Sequence, residues 1–231
     1  MSARDVQTRR NLLQQILTVP FASRFALGGV ARPNIGFTIL GGPSCLQAES
    51  AAGFRLLLNR SCLNEGPITR ADLVVVTAAR DPSRDRLREL YDRAVSGAWV
   101  IWETAPDFCE PHRAGKTSEL LSEIFDIRTG LPFSGTSLYI QFHWPVMAMI
   151  RTFGPITPVD CGCEESIAEY EGRPIGARKC IGCGGVLFLG GLLGPHLLAQ
   201  DPQAHELANR IMRPQIFRNN LRRYIQNSSN Q

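Results

Sequence analysis

The stretch that decides the fold is Ala71–Pro106, ADLVVVTAARDPSRDRLRELYDRAVSGAWVIWETAP. Asp72-Leu73-Val74-Val75-Val76-Thr77 is a near-continuous, β-branched apolar run. Such a run reads as a parallel strand covered on both faces. Asp81-Pro82 offers an N-cap followed by proline at the first helical position. Leu87, Leu90, Tyr91 and Ala94 then recur at the helical period, and Gly97 stops the helix. Trp99-Val100-Ile101-Trp102 is the next strand. Strand, helix, strand at this length is a βαβ unit with a right-handed crossover.

Working outward, Ile35–Leu40 is a short apolar run ended by Gly41-Gly42-Pro43, which predicts a first buried strand. Gln47–Ala52 is helix-compatible and leads into Phe54–Leu58, a second strand or the end of that helix. Thr117–Phe125 predicts a short amphipathic helix. After Pro132 the texture changes to short strands at 138–142, 156–159, 166–170, 174–178 and 186–189. Glu171-Gly172 forms a two-residue hairpin turn, because glycine accepts the positive φ such turns need. Centring the hairpin there pairs Tyr170 with Arg173 and, further along, Cys163 with Cys180. Asp201-Pro202 repeats the capping pattern and opens a helix to about Arg213. Pro214 breaks it ahead of a terminal stripe of Ile216, Leu221, Tyr224 and Ile225.

The sum is an α/β protein. It is a three-layer, flavodoxin-like sandwich on a mostly parallel sheet, with a late β-hairpin and C-terminal helices. Residues 1–31 form a signal-type segment, 32–213 the α/β domain, and 214–231 a basic helix and tail.

With 44% hydrophobic and 20% charged residues, disorder, collagen and coiled coil are excluded. No uncharged apolar run approaches the roughly 18 residues of a membrane-spanning helix. The net charge of +4 is local. Five arginines (Arg210, Arg213, Arg218, Arg222, Arg223) fall in Leu207–Gln231 without an acid, leaving 20 basic against 21 acidic side chains elsewhere. That concentration suits a solvated helix face better than a nucleic-acid surface. The partners implied are an unidentified small molecule or protein, with self-association open.

Thr8-Arg9-Arg10-Asn11-Leu12-Leu13 resembles the twin-arginine export signal. Asn11–Ser23 has the length of a signal's apolar region, and Gly29-Val30-Ala31 offers small residues for cleavage. Arg24 is an unusual charge within such a segment, and an ordinary amphipathic helix is the other reading. The expectation is a periplasmic or otherwise extracytoplasmic mature chain beginning near Arg32, with cytoplasmic residence as the alternative.

Three segments resemble the class I glutamine amidotransferase-like superfamily, in its non-amidotransferase branch. They are the opening stretch, Ile167–Gly191 (IAEYEGRPIGARKCIGCGGVLFLGG) and Leu193–Ile211 (LGPHLLAQDPQAHELANRI). The likeness runs over about residues 34–213 and implies a flavodoxin-like fold. The family's nucleophile is a cysteine in a Gly-x-Cys-x-Gly elbow after the central strand. Here Glu103 stands about where that nucleophile would be, Pro106 follows, and Cys109 lies six residues later. Gln141-Phe142-His143 resembles the start of the family's Gln-Phe-His-Pro-Glu run, but the glutamate is absent. The resemblance with these departures implies a ligand-binding or structural domain without glutaminase activity.

A second reading is a hydrolase or transferase using Glu103, His143 or His196, with Cys109 beside His112 as a local thiol–imidazole pair. His196 follows the last strand, near the carboxyl edge where open α/β sheets place ligands. Its structural reading is a solvent-facing or capping histidine. Gly41, Gly42, Ser44 and Cys45 form the loop after the first strand and are ligand-binding candidates, since backbone N–H groups there can approach an anion. Cys161-x-Cys163 and Cys180-x-x-Cys183 have knuckle-like spacing. They hold zinc in a reducing compartment, as in a zinc-stabilised interaction module, or form disulfides in an oxidising one. No other cofactor is implied.

Overall fold

The computed structural model describes residues 36–41, 45–61, 63–77, 82–104, 111–152, 154–160, 162 and 165–212. All lie in the compact unit Asn34–Gln231. The signal-type segment 1–31, the tail 214–231, Gly42, Ser44, Cys109, Cys161 and Cys163 are outside the described residues.

The elements are β1 (Gly36–Gly41), α1 (Cys45–Arg60), β2 (Asn64–Glu65), β3 (Leu73–Thr77), α2 (Arg84–Val95), β4 (Trp99–Glu103) and α3 (Pro111–Phe125). There follow β5 (Arg128–Thr129), β6 (Tyr139–Phe142), β7 (Ala148–Arg151), β8 (Val159–Asp160), β9 (Glu165–Tyr170), β10 (Arg173–Ile181), β11 (Gly184–Leu189) and α4 (Gly194–Leu198). A last helix, α5, spans 202–212.

One nine-stranded sheet runs β2-β1-β3-β4-β11-β10-β9-β6-β7, and β5 pairs with β8 separately. The sheet is mixed. The pairings from β2 to β11 are parallel, and those from β11 through β7 are antiparallel. The expected mostly parallel sheet thus holds for one half of the strands. Short connections after Pro132 explain the other half, because hairpins can join only antiparallel neighbours.

The central strands are buried along their whole length, from Leu73 to Thr77 and from Trp99 to Glu103. Their side chains alternate between two cores, as the period of two requires. Val75 and Ile101 join Phe54, Leu57 and Leu58 of α1, Leu197 of α4, and Leu207 of α5. Val74, Val76, Val100 and Trp102 join Leu87 and Leu90 of α2, and Leu121 and Phe125 of α3. Phe54–Leu58 is helix interior, because Phe54, Leu57 and Leu58 recur at helical spacing toward a single core.

The caps differ at the two proline sites. Ser83 caps α2, its side chain accepting the Arg86 N–H, and the expected cap Asp81 lies outside the described residues. Asp201 caps α5 as expected, its Oδ1 accepting from Gln203 N at 2.8 Å and Ala204 N at 3.2 Å. The β9–β10 turn is at Glu171-Gly172, with φ of 51° and 74° and Tyr170 opposite Arg173. Positive φ at both central residues is the twist-matched hairpin geometry. Glu171 tolerates it while its carboxylate accepts the Thr136 and Ser137 backbone N–H groups and the Thr136 hydroxyl. Those donors hold that carboxylate below the usual range.

Candidate functional site

The parallel strands end together, with Gly41, Thr77, Glu103 and Leu189 in register across β1, β3, β4 and β11. Glu103 is the one ionisable side chain in that row, and it is wholly buried at 0% exposure. A buried carboxylate must be paired or hydrogen-bonded. Its Oε1 accepts the backbone N–H of Leu193 at 2.5 Å and of Gly194 at 2.8 Å, at the start of α4. Its Oε2 accepts the Ser50 hydroxyl from α1. Three of the roughly four acceptor positions of a carboxylate are therefore filled by the protein itself.

This convergence needs α1 and α4 to approach closely. A Cβ on Gly53 would fall on the Gly194 carbonyl oxygen, and one on Gly194 would fall on Ser50. Two glycines let the helices meet at backbone distance, and the meeting point sits over the Glu103 carboxyl. Burial pushes Glu103 up to about 7, against the pull of the Ser50, Gly194 and Leu193 donors toward ionisation. When neutral, Glu103 can donate its proton to Ser50 Oγ while keeping both backbone N–H groups. A hydroxyl serves either sense of the bond.

The other candidates go elsewhere. His196 is within α4 and 4% exposed. It is neither a loop histidine nor solvent-facing, because α4 turns its ring inward. Its Nε2 bonds the Arg151 carbonyl at 2.6 Å, which fixes Nε2 as the donor in neutral imidazole, and Nδ1 is 3.8 Å from Asp201 Oδ2. Burial lowers its pKa. His143 is exposed beyond the end of β6 and bonds the Ser166 carbonyl at 2.9 Å. His112 is exposed on α3. Glu103, His143 and His196 thus serve three separate pieces of backbone.

Gly41 ends β1 beside Thr77: a Cβ there would stand 3.0 Å from Thr77 Oγ1. Cys45 begins α1. Cys180 is exposed near the end of β10 and Cys183 is exposed in the β10–β11 turn. Among the described residues no group of three or more His, Cys, Asp or Glu side chains is placed to hold a metal. No helix among them is long and apolar enough to cross a membrane.

Sequence reading missed Ser50, Gly53 and the Leu193–Gly194 N–H pair as partners of Glu103. Gly194-Pro195 does carry a local signal of a helix start. Ser50 and Gly53 carry none, since their roles exist only once α1 lies against α4.

Fold and site together define an α/β protein on a mixed nine-stranded sheet, with a buried carboxyl at the carboxyl edge of its parallel half. No protein-family model matches the chain, and neither does any curated protein. Solved structures do match. The exo-β-1,4-mannosidase Op5Man5 from Opitutaceae bacterium strain TAV5 is similar at a TM-score of 0.54 and 15% identity, over 85% of this chain and 36% of that one. The cytoplasmic protein STM1381 from Salmonella typhimurium LT2 is similar at 0.56 and 11%, over 78% of this chain and 98% of its own. A protein of Bacteroides uniformis ATCC 8492 described as ThuA-like is similar at 0.54 and 7%, over 80% and 93%. The chain spans about a third of the length of the glycosidases it matches.

At these identities the likeness shows the fold alone. It corrects the resemblance drawn from sequence: these neighbours are glycosidases, STM1381 and a ThuA-like protein, and the class I glutamine amidotransferase assignment is withdrawn. The reason is physical as well. The quoted segments report strand and helix period, which many α/β proteins share.

Proposed function

We propose that this chain is a ligand-binding or structural α/β domain of an exported protein, without glutaminase activity. The observation that carries the reading is Glu103. The carboxyl end of β4 holds a fully buried carboxyl, engaged by Ser50, Leu193 and Gly194. A nucleophile or proton-transfer group must reach its substrate, and Glu103 instead faces the interior.

The parallel half is a flavodoxin-like, three-layer unit in this proposal. Two things support it. The parallel strands follow the order 2-1-3-4-5, and helices feed a core on each face. In such a unit the ligand lies outside the carboxyl ends of the first and third strands, where strand order reverses. Those ends are Gly41 and Thr77, so Gly41, Gly42, Ser44 and Cys45 are the ligand-binding residues of the proposal. Export is supported by Thr8-Arg9-Arg10 ahead of the uncharged stretch Asn11–Ser23.

Native mass spectrometry of the protein from its own cells tests the reading, combined with an ammonia assay on L-glutamine. The expected result is an N-terminus near Arg32 and no glutamine-dependent ammonia. Ammonia release that disappears in Cys109→Ser overturns the absence of glutaminase activity. A native chain with its first 31 residues intact overturns export.

A further inference from the structure

We infer that the outer face of the antiparallel half-sheet, bearing Tyr139, Gln141, Met149, Arg151 and Glu169, is a self-association surface. A second copy of this chain docks on it about a two-fold axis, each Arg151 meeting the partner's Glu169.

Strands β6 and β7 alternate strictly. Ile140 and Phe142, with Ala148 and Ile150, enter the core shared with α1, α4 and α5. Tyr139, Gln141, Met149 and Arg151 therefore point the other way. So does Glu169, opposite Gln141 on β9 and between the core residues Ala168 and Tyr170. No residue of β6, β7 or β9 enters the second core, the one fed by α2 and α3. This half of the sheet is thus packed on one side only, and its outer side leaves Tyr139 46% and Met149 53% exposed.

The strand edge beside that face is closed. Gln203 Oε1 accepts the Met149 N–H at 2.9 Å, and His196 Nε2 donates to the Arg151 carbonyl at 2.6 Å. A further strand adding to β7 would have to displace both side chains, so edge pairing is guarded. The face carries no such guard.

Its register makes the face complementary to itself. Arg151 stands opposite Tyr139, and Glu169 opposite Gln141, so the two charges lie two strands and two residues apart. That is about 12 Å on an ideal sheet. Among the described residues neither side chain has an ion-pair partner. A two-fold axis in the plane of contact, crossing the Arg151–Glu169 line at right angles through its midpoint, sets each arginine against the partner's Glu169. Tyr139, Gln141 and Met149 then fall within about 2 Å of the axis on the same ideal lattice. The apolar side chains meet at the centre and the charges at the rim, as protein interfaces are generally layered. Rim charges set orientation and register more than affinity. A patch of this size makes a weak, concentration-dependent dimer.

Sedimentation velocity of the full chain over a micromolar concentration series tests the inference. The expected result is a 25.5 kDa monomer that converts to a dimer as concentration rises. Arg151→Glu and Glu169→Arg should each weaken the dimer about tenfold or more, since each sets like charges against one another. The double variant Arg151→Glu/Glu169→Arg should restore it. Met149→Lys should abolish the dimer with an unchanged unfolding midpoint, which keeps a lost interface distinct from a lost fold. A monomer at every concentration overturns the inference, whether the face is then bare or taken by another protein. A dimer indifferent to the single charge changes, or one that the double variant does not restore, overturns it as well.

Discussion

Glu103 Oε1 accepts the backbone N–H of Gly194 at 2.8 Å, across 91 positions of sequence. The end of the central strand thereby holds the first turn of α4, and through Ser50 it holds α1 as well. Removing this acceptor leaves two buried N–H groups and a hydroxyl unpaired, each costing on the order of 1–3 kcal/mol. Glu103→Ala should therefore destabilise by about 3 kcal/mol or more. Glu103→Gln, which keeps one carbonyl acceptor and the volume, should lose less than half of that. Urea unfolding of the two variants checks the order. A reversed order would show that ionisation, not acceptance, is what the site requires.

The same carboxyl makes stability depend on pH. Its folded pKa is raised to about 7 by burial, from 4.5 in the unfolded chain. Between those values the folded state holds a proton that the unfolded state has released, so stability falls as pH rises. The contribution is fully present below about pH 4.5 and is lost by about pH 7. It amounts to on the order of 3 kcal/mol. His196 works in the opposite sense: burial lowers its pKa, so its contribution is present above its unfolded value of 6.5 and lost as pH falls through the folded one. Subtracting the pH profile of Glu103→Gln from that of the wild type isolates the carboxyl. A flat difference between pH 5 and 7.5 would count against the raised pKa.

Close approach of α1 and α4 is the second requirement of the site. In Gly53→Ala the new methyl meets the Gly194 carbonyl oxygen and the Leu198 N–H, both backbone atoms that cannot swing away. Overpacking of this kind costs about 1–3 kcal/mol. The helices should separate and loosen the bonds to Glu103, so the Leu193 and Gly194 amides should lose hydrogen-exchange protection in this variant. Retained protection would mean that α4 is held from elsewhere.

Val75 is 0% exposed in a strand paired on both sides. Val75→Asp places a carboxylate in that core without a partner, and a loss of several kcal/mol is expected. A soluble variant with an unchanged unfolding midpoint would contradict the central position of β3.

Asp201 satisfies two N–H groups at the start of α5. Asp201→Ala should cost about 1 kcal/mol and Asp201→Ser little, as thermal unfolding of the two variants would report.

What the sequence determined by itself is local. Leu73–Thr77 and Trp99–Glu103 are strands because β-branched and aromatic runs read the same in any context that buries both faces. Leu87, Leu90 and Ala94 define a helix by period alone. Glu171-Gly172 is a turn because its backbone angles suit few other residue pairs. Asp201 is a cap because its oxygen reaches amides only two and three residues away. Phe54–Leu58 stayed ambiguous because a five-residue apolar run satisfies either period. Tertiary structure decided what is not local. The place of β11 beside β4 joins residues 86 positions apart, as Gly185 and Trp99 are. The antiparallel half of the sheet, the inward turn of His196 and the three donors on Glu103 depend on it too. No short window encodes these, because a hydrogen-bond donor or a missing Cβ acquires its role only when another element is brought against it. Ser50 and Gly53 look like ordinary helix residues until α4 arrives; with α4 in place, one bonds the buried carboxyl and the other makes the space that lets it be reached.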